Sequence, residues 1–332
     1  MASLGDSWGY GQPAAPDPLG YTEPLPLVER FYPLGFPLEL ATNSSHIVES
    51  ARESWGEFKP AFDVTPMEFR IVARGDEAEP PRSSPEGPMF RAQGHLLTVV
   101  LGPDNFGVVD MDRGFSFACL APAVAQNHLF TSFHFLDPMA YMCLSQRYLT
   151  PVHAACVARN GDGILLVGEP GAGKSCLAWA CGQAGFTFIA DDAAWLVRES
   201  AEPAVIGRHQ RMRFKPGSLD FIPELARLPR VETVIGKYSF EIRTADVPGL
   251  ASASRCRASK IVFLERQETG AAELLPVSPE ETRRRIALAR PVLEHHVWNE
   301  QQASLEPLIA RGAWLLRYSG LAEAVDQLLK LS

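Results

Sequence analysis

The sequence has no long apolar run, no excess of basic residues and no leader-like N-terminus, and each absence excludes a class of protein. No apolar stretch in the 332 residues approaches the roughly 20 that a helix needs to cross a bilayer. The formal net charge of −8 argues against a general surface for nucleic acid or anionic membranes. The first residues lack the basic and apolar regions of a secretory signal, so we expect a cytoplasmic protein.

Cysteine is also scarce, and its spacing predicts neither a disulfide framework nor a zinc site. The six cysteines form no C-x-x-C pair and have no histidine at ligand spacing, so we expect small core residues in a reducing compartment. The histidines are equally unpromising as metal ligands. His128 and His134 lie six positions apart and are expected to be structural, while the adjacent His295 and His296 make a poor metal pair.

The composition that is present predicts a globular chain with a sizeable core, because 46% of the residues are hydrophobic and 21% are charged. Residues 1–26 are rich in glycine and proline and are expected to form a flexible arm. Residues 27–150 alternate between strand-like and helix-like patterns, which predicts a mixed α/β region of unknown role. Its last element is expected to be a helix over residues 138–149, which Pro151 breaks. Residues 151–332 form the third part, and they contain the motif on which the functional prediction depends.

That motif is a glycine-rich loop between a predicted strand and a predicted helix. The apolar run 164–167 leads into GEPGAGKS, which fits the phosphate-binding pattern G-x-x-x-x-G-K-[ST]. Glycines permit a turn whose backbone N–H groups face an anion, and the helix adds its positive N-terminal end. We therefore predict nucleotide contacts from Gly168, Glu169, Pro170, Gly171, Ala172, Gly173, Lys174, Ser175 and Cys176. In such loops the lysine reaches the outer phosphates and the serine ligates magnesium.

Two carboxylates follow soon after the loop. A helix of about ten residues and a strand over 186–189 lead directly to Asp191 and Asp192, so that Asp192 follows Lys174 by 18 residues. If the two strand tips lie side by side, the carboxylates are close to Ser175 and the terminal phosphate. One carboxylate can then hold the metal while the other accepts a proton from an attacking hydroxyl. The alternative is that one aspartate only caps the following turn.

This stretch resembles the C-terminal catalytic domain of bacterial HPr kinase/phosphorylase, a P-loop kinase family related to phosphoenolpyruvate carboxykinase. The resemblance is based on GEPGAGKS, on the strand ending in ADD and on His153, which lies 21 residues before the lysine. It implies a mixed-sheet α/β fold with a kinase core of that family and an ATP and Mg²⁺ site. By this resemblance Lys174 contacts phosphate, Ser175 and Asp192 hold the metal, Asp192 is also the catalytic base, and His153 lines the site. Asp191 supports the metal or the geometry.

The chain also departs from that family. Pro170 replaces the loop serine, and the segment that carries a metal-binding glutamate is found only as a late echo around Glu241. The basic run 207–215 predicts either a phosphate clamp, with Arg213 as its best candidate, or a solvated strand edge. Lys237, which follows a glycine in a turn, is a second candidate for a phosphate contact.

The resulting prediction is a serine-type kinase that transfers the γ-phosphate of ATP to a hydroxyl on a protein, a peptide or a small molecule. One alternative is an ATP-binding regulatory or sensor protein with little or no phosphotransfer. Another is a carboxykinase-like enzyme acting on a small molecule. The resemblance further suggests a homo-oligomer.

Overall fold

The computed structural model of the protein describes residues 22–74, 87–198, 202–234, 236–286 and 294–331. Most of the arm predicted over residues 1–26 lies outside these ranges. Up to residue 147, the strands are β1 Leu27–Phe31, β2 Leu38–Thr42, β3 Met67–Ala73, β4 Met89–Gln93, β5 Leu96–Leu101, β6 Asn105–Asp110 and β7 Phe115–Leu120. The helices of this part are α1 Ser45–Trp55, α2 Pro122–Gln126, α3 His128–Thr131 and α4 Asp137–Arg147.

The rest of the described chain begins with a strand at residue 149. Its strands are β8 Leu149–Val152, β9 Ala154–Arg159, β10 Asp162–Val167, β11 Thr187–Ala190, β12 Ala194–Val197, β13 Ala204–Gly207, β14 Arg211–Phe214, β15 Val231–Glu232, β16 Tyr238–Arg243, β17 Arg255–Arg266, β18 Glu273–Val277 and β19 Ala313–Tyr318. Its helices are α5 Lys174–Gln183, α6 Pro279–Arg285, α7 His295–Ala310 and α8 Leu321–Leu329.

The strands form three sheets, two of mixed direction and one antiparallel, and helices pack with them, so the predicted mixed-sheet α/β class is confirmed. A seven-stranded sheet has the order β1-β2-β3-β7-β6-β5-β4, and a three-stranded sheet has the order β14-β16-β15. The nine-stranded sheet is built around β17, which pairs with β10 on one side. On its other side β17 pairs first with β13 and then with β19, since twelve residues are long enough for two partners.

The order of the strands at the candidate site differs from the sequence prediction. Strands β10 and β11 are not side by side, because β9 lies between them and pairs with both in the antiparallel direction. The prediction of neighbouring strand tips was therefore wrong. Two strands that are antiparallel to the same partner run in the same direction, so the carboxyl ends of β10 and β11 still lie on the same side of the sheet. The glycine-rich loop and the aspartate pair both follow these carboxyl ends.

The junction near residue 150 also differs from the prediction. A helix was expected to continue to Leu149 and to be broken by Pro151, but α4 ends at Arg147 and Leu149 already belongs to β8. Pro151 pairs with Trp195 of β12 on an edge strand, where the missing N–H of proline is tolerated. Trp195 is 5% exposed and packs into the core of the first sheet, so the two regions share buried apolar surface. The domain boundary at residue 150 stays a prediction.

Two predictions from composition can be compared with the structure. All six cysteines are free thiols, and five of them are buried, as expected for small core residues. Among the helices of the described ranges, none combines the length and the apolar character that a membrane crossing requires.

Candidate functional site

The glycine-rich loop connects β10 to α5 and has the backbone geometry that its glycines predict. Gly171 and Gly173 have φ values of +98° and +92°, in the left-handed region that residues with a Cβ rarely adopt. Gly173 caps α5, which has the predicted length of ten residues. The first N–H groups of the helix therefore face the space above the loop. Glu169 and Pro170 are exposed on the outer rim of the loop, whereas Cys176 is buried beneath the helix.

A residue from the end of the chain holds the loop in place. The Tyr318 hydroxyl, at the end of β19, donates a 2.6 Å hydrogen bond to the carbonyl of Ala172. A Cβ at Gly173 would lie 2.3 Å from the same hydroxyl, so only glycine fits there. The sequence analysis missed this residue, because a strand-end tyrosine 146 positions away from the loop has no local signal that connects it to the loop.

Lys174 places a buried cation in the site. Its side chain is only 7% exposed, and Nζ donates a 2.8 Å hydrogen bond to the carbonyl of Gly168. Nζ also lies 3.1 Å from Nε2 of His153 and 3.9 Å from Oδ1 of Asp192. Burial lowers the pKa of Lys174, and the charge of Asp192 counteracts part of that effect. The side chain of Lys174 is already shielded from water before a ligand arrives, so its charge is suited to neutralise an anion that enters the loop.

His153 and Asp192 complete a triangle with this lysine. His153 lies between β8 and β9, and its Nε2 is 3.6 Å from Oδ1 of Asp192. An ammonium group only donates hydrogen bonds, so Nε2 of His153 accepts from Lys174 and the imidazole proton lies on Nδ1. The side chains of His153 and Asp192 are 58% and 68% exposed. Both can therefore be reached from solvent by a second reactant.

Asp191 has a different environment from its neighbour. Its Oδ2 accepts a 2.7 Å hydrogen bond from the backbone N–H of Arg213, while its Oδ1 is buried and has no hydrogen-bond partner in the described part of the chain. Burial raises the pKa of Asp191 to about 6, against the opposing effects of the nearby Ser175 hydroxyl and of the Arg213 N–H. The carboxylate next to Ser175 is thus Asp191, whereas the sequence prediction had paired Ser175 with Asp192 for the metal.

Arg213 links the three-stranded sheet to this carboxylate. Its guanidinium donates to Glu241 at 3.0 Å, and Arg211 donates to the other oxygen of Glu241 at 2.6 Å. Burial works to raise the pKa of Glu241, but the two arginine hydrogen bonds outweigh it and leave the pKa below its ordinary value. The side chains of Arg213 and Glu241 are thus bound to each other, and a phosphate contact from Arg213 stays a prediction. Lys237 lies in an exposed turn, and its N–H donates to Thr233.

Comparisons with known proteins add little to this geometry. No protein-family model and no curated protein matches the sequence. Among solved structures, the chain is similar to the HPr(Ser) kinase/phosphatase from Coxiella burnetii, with 14% sequence identity and a TM-score of 0.32 over 55% of this chain and 90% of that chain. We base no argument on a similarity of this size. The resemblance to HPr kinase stays a prediction from the motif.

The donor set of the site can be tested for its fit to magnesium. Mg²⁺ prefers oxygen ligands and is commonly held by one or two protein oxygens together with phosphate. Ser175 and Asp191 supply a hydroxyl and a carboxylate at the N-terminus of α5, and Oδ1 of Asp191 is an unsatisfied buried acceptor. A buried acceptor without a donor is uncommon in a folded protein unless an ion or a water supplies the missing interaction. These residues fit a magnesium ion.

Proposed function

We propose that the protein is an ATP- and magnesium-dependent kinase that transfers the γ-phosphate to a hydroxyl, with serine the most plausible acceptor group. The observation that carries the proposal is the buried Oδ1 of Asp191 beside Ser175, which has no hydrogen-bond partner among the described residues and lies at the end of the glycine-rich loop. A buried acceptor oxygen without a donor is satisfied by a cation, and the N–H groups of the loop and of the helix N-terminus bind an anion. A magnesium–nucleotide complex supplies both.

Phosphate binding is assigned to the loop and to Lys174. Pro170 has no N–H, and the N–H of Ala172 is bound to the carbonyl of Glu169 within the loop. The other N–H groups of residues 168–175 and the positive end of α5 are the donors assigned to the phosphate oxygens. Lys174 already lies within 3.9 Å of Asp192 and can place its charge between the outer phosphates and that carboxylate. Ser175 and Asp191 would hold Mg²⁺, which when bound draws charge from the phosphate oxygens.

Proton transfer is assigned to Asp192. Its carboxylate is exposed, so an acceptor hydroxyl can approach it from solvent, and the charge of Lys174 lies 3.9 Å from its Oδ1. A carboxylate in this position accepts the proton as the hydroxyl attacks phosphorus. His153 accepts a hydrogen bond from Lys174 and orients it. The acceptor is a hydroxyl of a protein, a peptide or a small molecule.

One observation favours the alternative of a nucleotide-binding regulatory protein. Glu241, the only echo of the family's second metal-binding segment, has both carboxylate oxygens bound to arginines. A site without that ligand can still bind ATP and change the affinity for a partner while transferring phosphate slowly or not at all.

The decisive experiment measures transfer of labelled γ-phosphate from ATP, with magnesium, to free serine and to fractionated lysate of the source organism. We expect Asp192→Asn to retain ATP binding and to lose transfer by about 100-fold or more, as removal of a general base does. Asp326→Asn is the matched control, because it removes the same charge from an exposed position on α8. Undiminished transfer by Asp192→Asn would refute the role of this residue. Tight ATP binding without any labelled product would favour the regulatory alternative.

A further inference from the structure

A second group of metal-ligating side chains lies on the first region, outside the loop site. His46, Glu49 and Glu53 are spaced along one face of α1, and His128 begins α3 beside them. His128 was predicted to be a structural histidine, but the structure brings it to His46. The ligand atoms of His46, Glu49 and His128 all lie within 4.8 Å of one another.

The backbones that carry these side chains are fixed by the core. The opposite face of α1 is buried and ends in Trp55, which is 0% exposed. The hydroxyl of Ser132 donates a 3.0 Å hydrogen bond to the carbonyl of Ser50, which ties the turn after α3 to the middle of α1. The side chain of Asn127 caps α3 by accepting from the N–H of Phe130. Because both helices are anchored, the two histidines lie side by side in the folded protein. No flexible segment has to become ordered to bring them together.

The hydrogen bonds of His128 determine which of its nitrogens is available. Its Nδ1 lies 2.9 Å from Oε1 of Glu53, and a carboxylate can only accept, so Nδ1 carries a proton. This leaves Nε2 directed toward the other side chains, 3.3 Å from Nδ1 of His46 and 3.4 Å from Oε2 of Glu49. A carboxylate that holds the far nitrogen of a histidine is the arrangement that supports histidine ligands in zinc proteins.

The distances match the edges of a zinc coordination tetrahedron. With zinc–ligand bonds of about 2.0–2.1 Å, neighbouring ligand atoms in a tetrahedral site lie about 3.3–3.4 Å apart. The separations at Nε2 of His128 are 3.3 and 3.4 Å, and the third edge, between Nδ1 of His46 and Oε2 of Glu49, is 3.9 Å. A movement of a few tenths of an ångström by one exposed side chain closes that edge.

We propose that His46, Glu49 and His128 bind a zinc ion, with Glu53 supporting His128 and with the fourth position open to solvent. Two imidazoles and one carboxylate are a donor set that favours zinc over magnesium, whereas the loop site offers only oxygen donors. The side chains of His46 and Glu49 are 47% and 49% exposed, so an ion or an exchangeable ligand can enter directly. The proposal is independent of the kinase assignment, since it uses other residues and another metal.

The test is zinc binding by the metal-free full chain at pH 7.5, measured by competition with a chromophoric chelator in excess Mg²⁺. We expect one zinc ion per chain, and we expect the double variant His46→Ala/His128→Ala to lose it. The matched control is His295→Ala/His296→Ala, which also removes two exposed neighbouring histidines and should bind zinc like the unmodified protein. Glu53→Gln should weaken zinc binding by about 10–100-fold, as loss of a supporting carboxylate does.

Cobalt substitution provides a second measurement. Co²⁺ in a four-coordinate site of nitrogen and oxygen ligands gives intense visible bands, and these should appear in the unmodified protein and be absent from the His46→Ala/His128→Ala variant. Near-ultraviolet circular dichroism of each variant checks that the fold is retained. Absence of zinc binding by the unmodified protein would overturn the proposal. Equal zinc binding by the two double variants, or loss of zinc only from the His295→Ala/His296→Ala control, would overturn it as well.

Discussion

Replacing Asp191 with asparagine removes a buried carboxylate while keeping its shape, and it should make the protein's stability less sensitive to a rise in pH from about 4 to about 6. Asparagine can still accept the hydrogen bond from the N–H of Arg213. In the native protein the pKa of Asp191 rises from its ordinary 3.8 to about 6 because of burial. The folded state therefore holds a proton that the unfolded chain releases, and stability is lost as the pH rises from about 4 through about 6.

The magnitude follows from the size of the shift. A shift from 3.8 to about 6, at about 1.4 kcal/mol per pKa unit, sets an upper limit of about 3 kcal/mol. The residue as a whole is only half-buried, although its Oδ1 is fully enclosed, so solvent reduces this value. We expect the free energy of unfolding of Asp191→Asn, relative to the native protein, to increase by about 1–2 kcal/mol between pH 4.5 and pH 8.

The assay is urea unfolding at several pH values in the presence of a chelator, because a bound cation would itself relieve the cost of the buried charge. Asp192→Asn is the matched control, since it removes the same charge from the next residue, whose side chain is 68% exposed and has little burial cost to relieve. A difference between Asp191→Asn and the native protein that stays constant with pH, or that favours the native protein more at pH 8, would refute the reasoning.

Two other substitutions test how the loop and the junction are held. At Gly173 the backbone has a positive φ, and an added Cβ would contact the Tyr318 hydroxyl. Gly173→Ala should therefore destabilise the protein by about 1–3 kcal/mol, measured by titration with denaturant, and weaken ATP binding, measured by titration with ATP. The control is Gly217→Ala, because a Cβ at Gly217 has no heavy atom within 4 Å among the described residues. Equal effects of the two substitutions would contradict the argument. Asp137 accepts hydrogen bonds from Arg208 and from a serine and a tryptophan of α1. Asp137→Ala should lower the free energy of unfolding by about 2–3 kcal/mol, and a loss below 0.5 kcal/mol would show that these bonds contribute little.

The part of the site that could be predicted from the sequence is the part that local chemistry determines. Glycine spacing specifies the loop, the apolar run specifies β10, and the length of α5 follows from the glycines that flank it. Gly185, two residues beyond the end of α5, has a left-handed φ of +88° that glycine permits. All of these features depend on residues within about ten positions of one another, so the sequence alone is sufficient for them.

The remaining features depend on contacts between distant parts of the chain. Asp191 and Asp192 are adjacent, and side chains that follow each other at a strand end point in different directions. Which of the two becomes buried depends on the backbone of Arg213 and on the path of β14, and neither leaves a local trace in the sequence. The same holds for the position of β9 between β10 and β11 and for the contact between His46 and His128. Both depend on pairing between distant segments of the chain, which the periodicity of the sequence does not encode.

The hydrogen bonds to the loop carbonyls have a consequence for the thermodynamics of nucleotide binding. The carbonyls of Gly168 and Ala172 are occupied by Lys174 and by the Tyr318 hydroxyl before any ligand arrives. The loop therefore loses its conformational freedom when the chain folds, and a phosphate that enters does not have to restrict it again. Nucleotide affinity is in this way linked to the integrity of the last strand of the sheet. A change that loosens β19 should weaken binding through a larger loss of entropy, with no change in the groups that touch the ligand.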